Sequence, residues 1–265
     1  MTSWTAFLLG LAAGLLATVV VVAIWRRSSA GRTPASMPSG AGGRAEIASK
    51  VAHELKNPIM SVKGLASTGT RLYESMSDEE RREFFLLIDR EADRLKVIAD
   101  EAATAMRIDA GQLNYVMRSE DVSQLVEEVA WHAPVGDHAM VVETETGLVA
   151  TIDRIRIAEV LANLIDNAAK FSPSGSPIEV RAYRGNAEDD VVIEIVDRGP
   201  GIPSEHREEV FAKFATCRPP GYEETPGAGL GLFISRAHVM AHGGRLDIED
   251  QTGQGTMLRV RLRGG

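Results

Sequence analysis

Apolar side chains recur in this chain with three different rhythms, and each rhythm predicts a different kind of element. From Trp4 to Trp25 there is no rhythm: WTAFLLGLAAGLLATVVVVAIW runs without a charged side chain. As a helix rising about 1.5 Å per residue the run reaches about 33 Å, the depth of a bilayer core. Trp4 and Trp25 stand where aromatic residues anchor at the two interfaces. Arg26, Arg27, Arg32 and Arg44 follow the run and no basic side chain precedes it. That asymmetry predicts a single-pass anchor at residues 4–25 with the rest of the chain in the cytoplasm. A cleaved signal peptide would have a basic n-region and a shorter apolar stretch.

Residues 26–43, RRSSAGRTPASMPSGAGG, carry almost no large apolar side chain and predict a flexible linker. A second rhythm then begins. Ala48, Val51, Leu55, Pro58, Val62, Leu65, Gly69 and Leu72 fall at alternating spacings of three and four, the seam of a coiled-coil-like helix. Ser77-Asp78-Glu79-Glu80 is a capping box, after which Phe85, Ile88, Ala92, Leu95, Ala99, Ala102 and Met106 repeat the spacing. A loop around residues 73–77 makes an antiparallel helical hairpin of residues 44–110. One hairpin cannot bury two stripes well, so a second copy and a four-helix bundle are expected.

Past Gly111 the rhythm shortens. A helix at about 121–131 precedes the strand-like VVETET and LVATID; a helix from Arg154 to Phe171 precedes the alternating strands IEVRAYR and VVIEIVD. A helix at about 230–242 and the pair RLDIED and TMLRVRL close the chain. Helices gathered on one face of a mixed sheet predict an α+β class, with a sandwich over residues 115–263.

A net charge of −8 supplies no basic footprint and excludes nucleic acid as the expected partner. Cys217 is the only cysteine, which rules out an intramolecular disulfide and cysteine-rich metal sites and fits a reducing cytosol.

Candidate chemistry lies in VAHELKNPIM, residues 51–60. His53 stands two positions past the seam residue Val51 and so projects toward solvent. Glu54 is placed to accept the proton of one ring nitrogen, making the other more nucleophilic, and Pro58 loosens the helix one turn on. An HExxH zinc site is excluded because Asn57 occupies the place of the second histidine. Three later stretches describe a nucleotide site. In NLIDNAAKFSP, Asn163, Asn167 and Lys170 share a helix face suited to Mg2+ and phosphates. In DRGPGIP, Asp197 ends a strand where it can accept from an exocyclic amine. GAGLGL opens a helix whose terminal amides suit a polyphosphate, and Leu232 departs from a dinucleotide fingerprint.

Together these stretches resemble the bacterial sensor histidine kinases of two-component systems over nearly all of residues 44–263. VAHELKNP looks like that family's H-box, NLIDNAAKFSP its N-box, DRGPGI its first glycine box, VFAKF its F-box and GAGLGLFISRAHVMAHGG its second glycine box. The resemblance implies a dimerising hairpin followed by a Bergerat-type ATP-binding sandwich. It implies His53 as phosphoacceptor, Glu54 as its base and Asn57 as the residue that orients water to dephosphorylate the partner. It also implies Asn167 on Mg2+, Asn163 and Lys170 near the phosphates of ATP, and Asp197 on the adenine amine. Gly199, Gly201, Gly227, Gly229 and Gly231 would shape the pocket, with Phe211 and Phe214 anchoring a lid over residues 212–227.

By the same resemblance the phosphoryl group passes from His53 to an aspartate of a cognate response regulator. Related ATPases carry a water-activating glutamate where this chain has Asn163, so hydrolysis of ATP is expected to be poor. Ala215 and Thr216 depart from the aromatic and basic residues that often follow the F-box. His238 and His242, at i and i+4, have the spacing of a metal pair but no carboxylate or cysteine nearby in sequence, and a structural role is expected. The expected setting is the bacterial inner membrane, with the stimulus entering through the anchor, the linker or an upstream sensory partner protein. A GHKL-type ATPase and a catalytically silent nucleotide-binding scaffold are the alternatives. The first has no need of HELKNP, and the second would be expected to lose His53, Asn167 or Asp197.

Overall fold

The computed structural model describes residues 40–185, 190–223, 225, 227–249 and 255–264, with backbone alone for residues 40–48. The anchor expected at residues 4–25 lies outside them, as does the linker as far as residue 39. Among the described residues no helix is long and apolar enough to cross a membrane. Residues 43–265 form one compact unit, which carries the hairpin and the sheet.

Helix α1 spans Gly40–Leu72 and begins four residues before the expected start at Arg44. Adding a residue to an existing helix requires no new nucleus, so even glycines extend it. A 3-10 turn, Tyr73–Ser75, leads to α2, Asp78–Asp109. The capping box forms as expected: the Ser77 hydroxyl accepts from Glu80 N at 3.2 Å, and the Glu80 carboxylate accepts from Ser77 N at 2.7 Å. On α1 the seam is where the spacing put it, with Val51 and Pro58 buried and Leu55, Val62 and Leu65 half-buried.

On α2 the stripe is displaced. The face turned inward is Phe84, Ile88, Glu91, Leu95, Ile98, Ala102 and Ala105, whereas Phe85, Ala92, Ala99 and Met106 of the expected stripe are exposed. Adjacent helical positions lie about 100° apart, so a helix with two neighbouring apolar stripes looks the same in sequence whichever one its own chain covers. Phe85 is left 61% exposed and Val97 55%.

The remaining elements run β1 (Arg118–Asp121), α3 (Val122–His132), β2 (Met140–Thr144), β3 (Val149–Ile152), α4 (Arg154–Phe171), β4 (Ile178–Arg184), β5 (Asp190–Val196), α5 (Gly231–Ala241), β6 (Arg245–Glu249) and β7 (Met257–Arg263). β1 and β3 form an antiparallel pair, and the main sheet has the order β2-β4-β5-β7-β6. Only the β2–β4 contact in it is parallel. β1 escaped the sequence reading because RSED has no apolar alternation; its pairing with β3 supplies what its side chains do not. The core lies between α4, with Ile157, Leu161, Leu164 and Ile165 buried, and the sheet residues Ile178, Val180, Ile193, Ile195 and Val260. The opposite face of the sheet is charged: Glu194 accepts from Tyr183 Oη at 2.8 Å and from Arg259, directly across the strand pair, at 2.7 Å.

The segment entering the sandwich is pinned to the far end of α5. Tyr115 Oη lies 3.0 Å from His238 Nδ1, and Val116 N donates to Asp153 Oδ2 at 2.9 Å. Asp153 N in turn donates to His242 Nε2 at 2.9 Å. Both histidines are thus structural, and no cluster of three or more metal-ligating side chains occurs among the described residues.

Candidate functional site

Polar residues of α4 reach a cavity of about 510 Å3, within the usual size of a small-molecule site. Asn163, Asn167 and Lys170 all line it, as one helical face should. Lys170 Nζ is 2.5 Å from Asp166, one turn earlier. Asn163 is tied to α5 instead: its Nδ2 donates to Ser235 Oγ at 2.9 Å, and its amide oxygen lies where a Cβ on Gly231 would be.

Asp197 follows β5 and is buried at the cavity wall. Its Oδ1 accepts from Gly199 N at 2.7 Å and from Thr256 N at 3.0 Å. Burial pushes its carboxyl above the ordinary range, against the pull of these hydrogen bonds. The side chain is therefore rigid and its orientation set by backbone, which suits it to selecting one hydrogen-bond donor on a ligand.

The glycines divide by role. Gly229 has φ +68, and a Cβ there would stand 2.7 Å from Ala215 O. Gly199 is required by close approach to the Phe171 carbonyl and does not itself line the cavity, while Gly201, at φ +80, does. Gly227 lines the rim, but nothing lies within 4 Å of the place a Cβ would take, so no steric need for glycine exists there. Phe211 and Phe214 also stand away from the cavity lining. Phe211 is buried in the main core. Phe214, at φ 61, donates its N–H to Gly229 O at 2.7 Å and packs with Leu230 against Val51, Leu55 and Ile98 of the hairpin.

Some lining residues carried no signal. Thr256 immediately precedes β7 and is seen as part of the wall only once β5 and β7 are paired. Arg94 and Glu101 belong to α2, far from every nucleotide motif in sequence.

His53 is exposed on α1, as its place in the heptad required, and Asn57 is exposed one turn on. Neither the His53 nor the Glu54 side chain makes a hydrogen bond with another described residue, and the expected bond between them is not formed. Adjacent helical residues point about 100° apart and do not face each other. His53 does not line the cavity either. The site is therefore in two parts, one on each domain.

Comparison with known proteins matches the two parts separately. Residues 44–111 match the His Kinase A (phospho-acceptor) domain. Residues 152–264 match the histidine kinase-, DNA gyrase B-, and HSP90-like ATPase domain. The chain belongs to the bacterial sensor histidine kinases of two-component systems. Sensor protein KdpD of Clostridium acetobutylicum is 28% identical over 222 residues, 83% of this chain and 24% of that protein. The chain thus spans about a quarter of that relative's length. Among solved structures, the Acinetobacter baumannii histidine kinase AdeS aligns at TM-score 0.63 and 22% identity, covering 80% of this chain and 98% of that one. Histidine kinase ThkA, in complex with response regulator protein TrrA, aligns at 0.62 and 23%, covering 83% of this chain and 61% of that one.

For a sensor histidine kinase the cavity has a fitting donor set. Lys170 and the amides near Gly229 and Gly231 suit phosphates, and Asp197 suits an amine. Mg2+ keeps several waters and takes few protein ligands beside substrate phosphates, and Asn167 is the residue on this wall that would hold it.

Proposed function

We propose that this chain is the kinase portion of a membrane-anchored sensor histidine kinase that phosphorylates His53 from Mg-ATP and passes the phosphoryl group to an aspartate of a response regulator. The observation that carries the reading is the pairing, in one chain, of a solvent-facing imidazole on a helical hairpin with a cavity holding the buried carboxylate of Asp197.

In this reading Asp197 accepts from the adenine amine, Lys170 and the α5 N-terminus hold the phosphates, and Mg2+ bound at Asn167 offsets their charge. A ring nitrogen of His53 attacks the γ-phosphorus in line, a P–N bond forms, and the bond to the ADP oxygen breaks. Glu54 takes up the proton of the other ring nitrogen once the two side chains have turned toward each other. Asn163 offers no base: its amide is engaged with Ser235, so water is not activated and the γ-phosphoryl is kept for His53.

The cavity and His53 must first be brought together. Residues 110–114, with Gly111 at φ 62 and the chain pinned from Tyr115 onward, are the natural hinge. The His Kinase A domain implies a dimer, and exposed Phe85, Ala92, Ala99 and Met106 are the stripe assigned to the second copy. ThkA's capture with a response regulator supports the choice of partner. Asn57 is assigned to the reverse reaction, dephosphorylation of that regulator. Residues 4–25 are assigned to the inner membrane, with the signal arriving through the anchor or a sensory partner.

Incubation with radiolabelled ATP should leave acid-labile, base-stable phosphate on the protein. His53→Gln should keep nucleotide affinity and lose the label; equal labelling of both proteins would overturn the assignment.

A further inference from the structure

Ser235 stands outside the cavity and yet sets what the cavity presents. Gly231 and Ser235 are one turn apart on α5, so they share the face that meets α4. The Asn163 carboxamide lies across both. Its Nδ2 donates to Ser235 Oγ at 2.9 Å, and its Oδ1 fills the space that a Cβ on Gly231 would need. Ser235 is 2% exposed and does not line the cavity, whereas Gly231 and Asn163 do. The amide nitrogen is therefore spent inside the protein, and the oxygen is left at the cavity end.

The surroundings favour that orientation. The first turn of α5 has no side-chain cap, so its N–H groups lack partners, and Gly231 and Leu232 of that turn line the cavity. Turned over, the Asn163 amide would set its NH2 beside those N–H groups, donor against donor. As placed, its oxygen is an acceptor among donors. A phosphate oxygen is also an acceptor and gains nothing from a second one, whereas a water held on a cation is a donor. Asn167, the residue that would hold Mg2+, is one turn further along the same face of α4, and Mg2+ keeps several of its waters when it binds.

We propose that Ser235 is a positioning residue for the metal: by holding the Asn163 nitrogen it commits the amide oxygen to the waters of the Mg2+ shell, so that cation and nucleotide bind together. This rests on the reading of the cavity as a Mg-ATP site. The phosphates themselves are left to Lys170 and the α5 amides. Groups that orient the shell of a metal in this way act without touching the metal.

The test uses the full chain and a non-hydrolysable ATP analogue, titrated by calorimetry with excess Mg2+ and again with a chelator. The readout is the ratio of the two affinities. Ser235→Ala frees the amide, and the ratio should fall about fivefold, the worth of one hydrogen bond, while metal-free affinity stays at the wild-type level. Ser235→Cys fills the same space with a weak acceptor and should repeat the loss without opening a void. Ser235→Thr keeps the hydroxyl and should keep the ratio. An equal loss of affinity with and without Mg2+ in Ser235→Ala and Ser235→Cys would reduce the hydroxyl to helix packing and overturn the proposal. So would a wild-type ratio in either of them, a loss in Ser235→Thr as large as in Ser235→Ala, or failure of all three variants to fold. A wild-type chain that binds no analogue would instead remove the ATP reading beneath it, and one that binds alike with and without Mg2+ would remove the metal from that reading.

Discussion

Gly231 and Asn163 stand so close that a Cβ on the glycine would overlap the asparagine's amide oxygen. The contact locks the first turn of α5 against α4 and so sets the width of the phosphate end of the cavity. Gly231→Ala must push the two helices apart or turn Asn163 away from Ser235. Nucleotide affinity should fall at least tenfold, about 1.4 kcal/mol, as read by titration calorimetry.

Asp197→Asn separates recognition from folding. An asparagine oxygen still accepts from Gly199 N and Thr256 N, the two bonds that hold the side chain now. The other terminal atom changes from an acceptor to a donor and, in the proposed binding mode, would face the adenine amine unfavourably. ATP affinity should fall by roughly 1–3 kcal/mol, about fivefold or more, with little change in the thermal midpoint.

The turn between the hairpin helices depends on one hydroxyl. Ser77→Ala removes the acceptor for Glu80 N and the hydroxyl that donates to the Glu80 carboxylate. The expected loss is about 1 kcal/mol of stability, visible as a lower denaturant midpoint.

Stability should also depend on pH through His238. Burial holds its pKa down to about 4, from an ordinary 6.5, and its Nε2 has no hydrogen-bond partner among the described residues, the Glu159 carboxylate being 3.7 Å away. Between pH 6.5 and 4 the unfolded chain takes up a proton that the folded chain refuses. Stability is therefore full above pH 6.5 and declines as pH falls toward 4, by a total on the order of 3 kcal/mol. Urea midpoints at pH 5 and pH 7 should differ less in His238→Phe than in the wild type.

Particular elements show how much was legible beforehand. The helix Arg154–Phe171 and the strand Ile178–Arg184 stand at the residues their periodicities marked, because each buries one face against a single core. RSED was missed since β1 is placed by its backbone pairing with β3 and not by an apolar alternation of its own. Gly229 and Gly231 are needed for the contacts they make, whereas Gly227 has open space around it, a distinction that depends on what lies nearby and not on the motif.

Local order in the chain determined the heptads, the Ser77 cap, the outward place of His53 and the grouping of Asn163, Asn167 and Lys170, since helical periodicity alone places those side chains. Which stripe of α2 turns inward, and that Glu101 closes a cavity built by residues far along the chain, were decided only by tertiary packing. Burial and charge compensation depend on partners distant in sequence, and those partners meet only after the chain has folded.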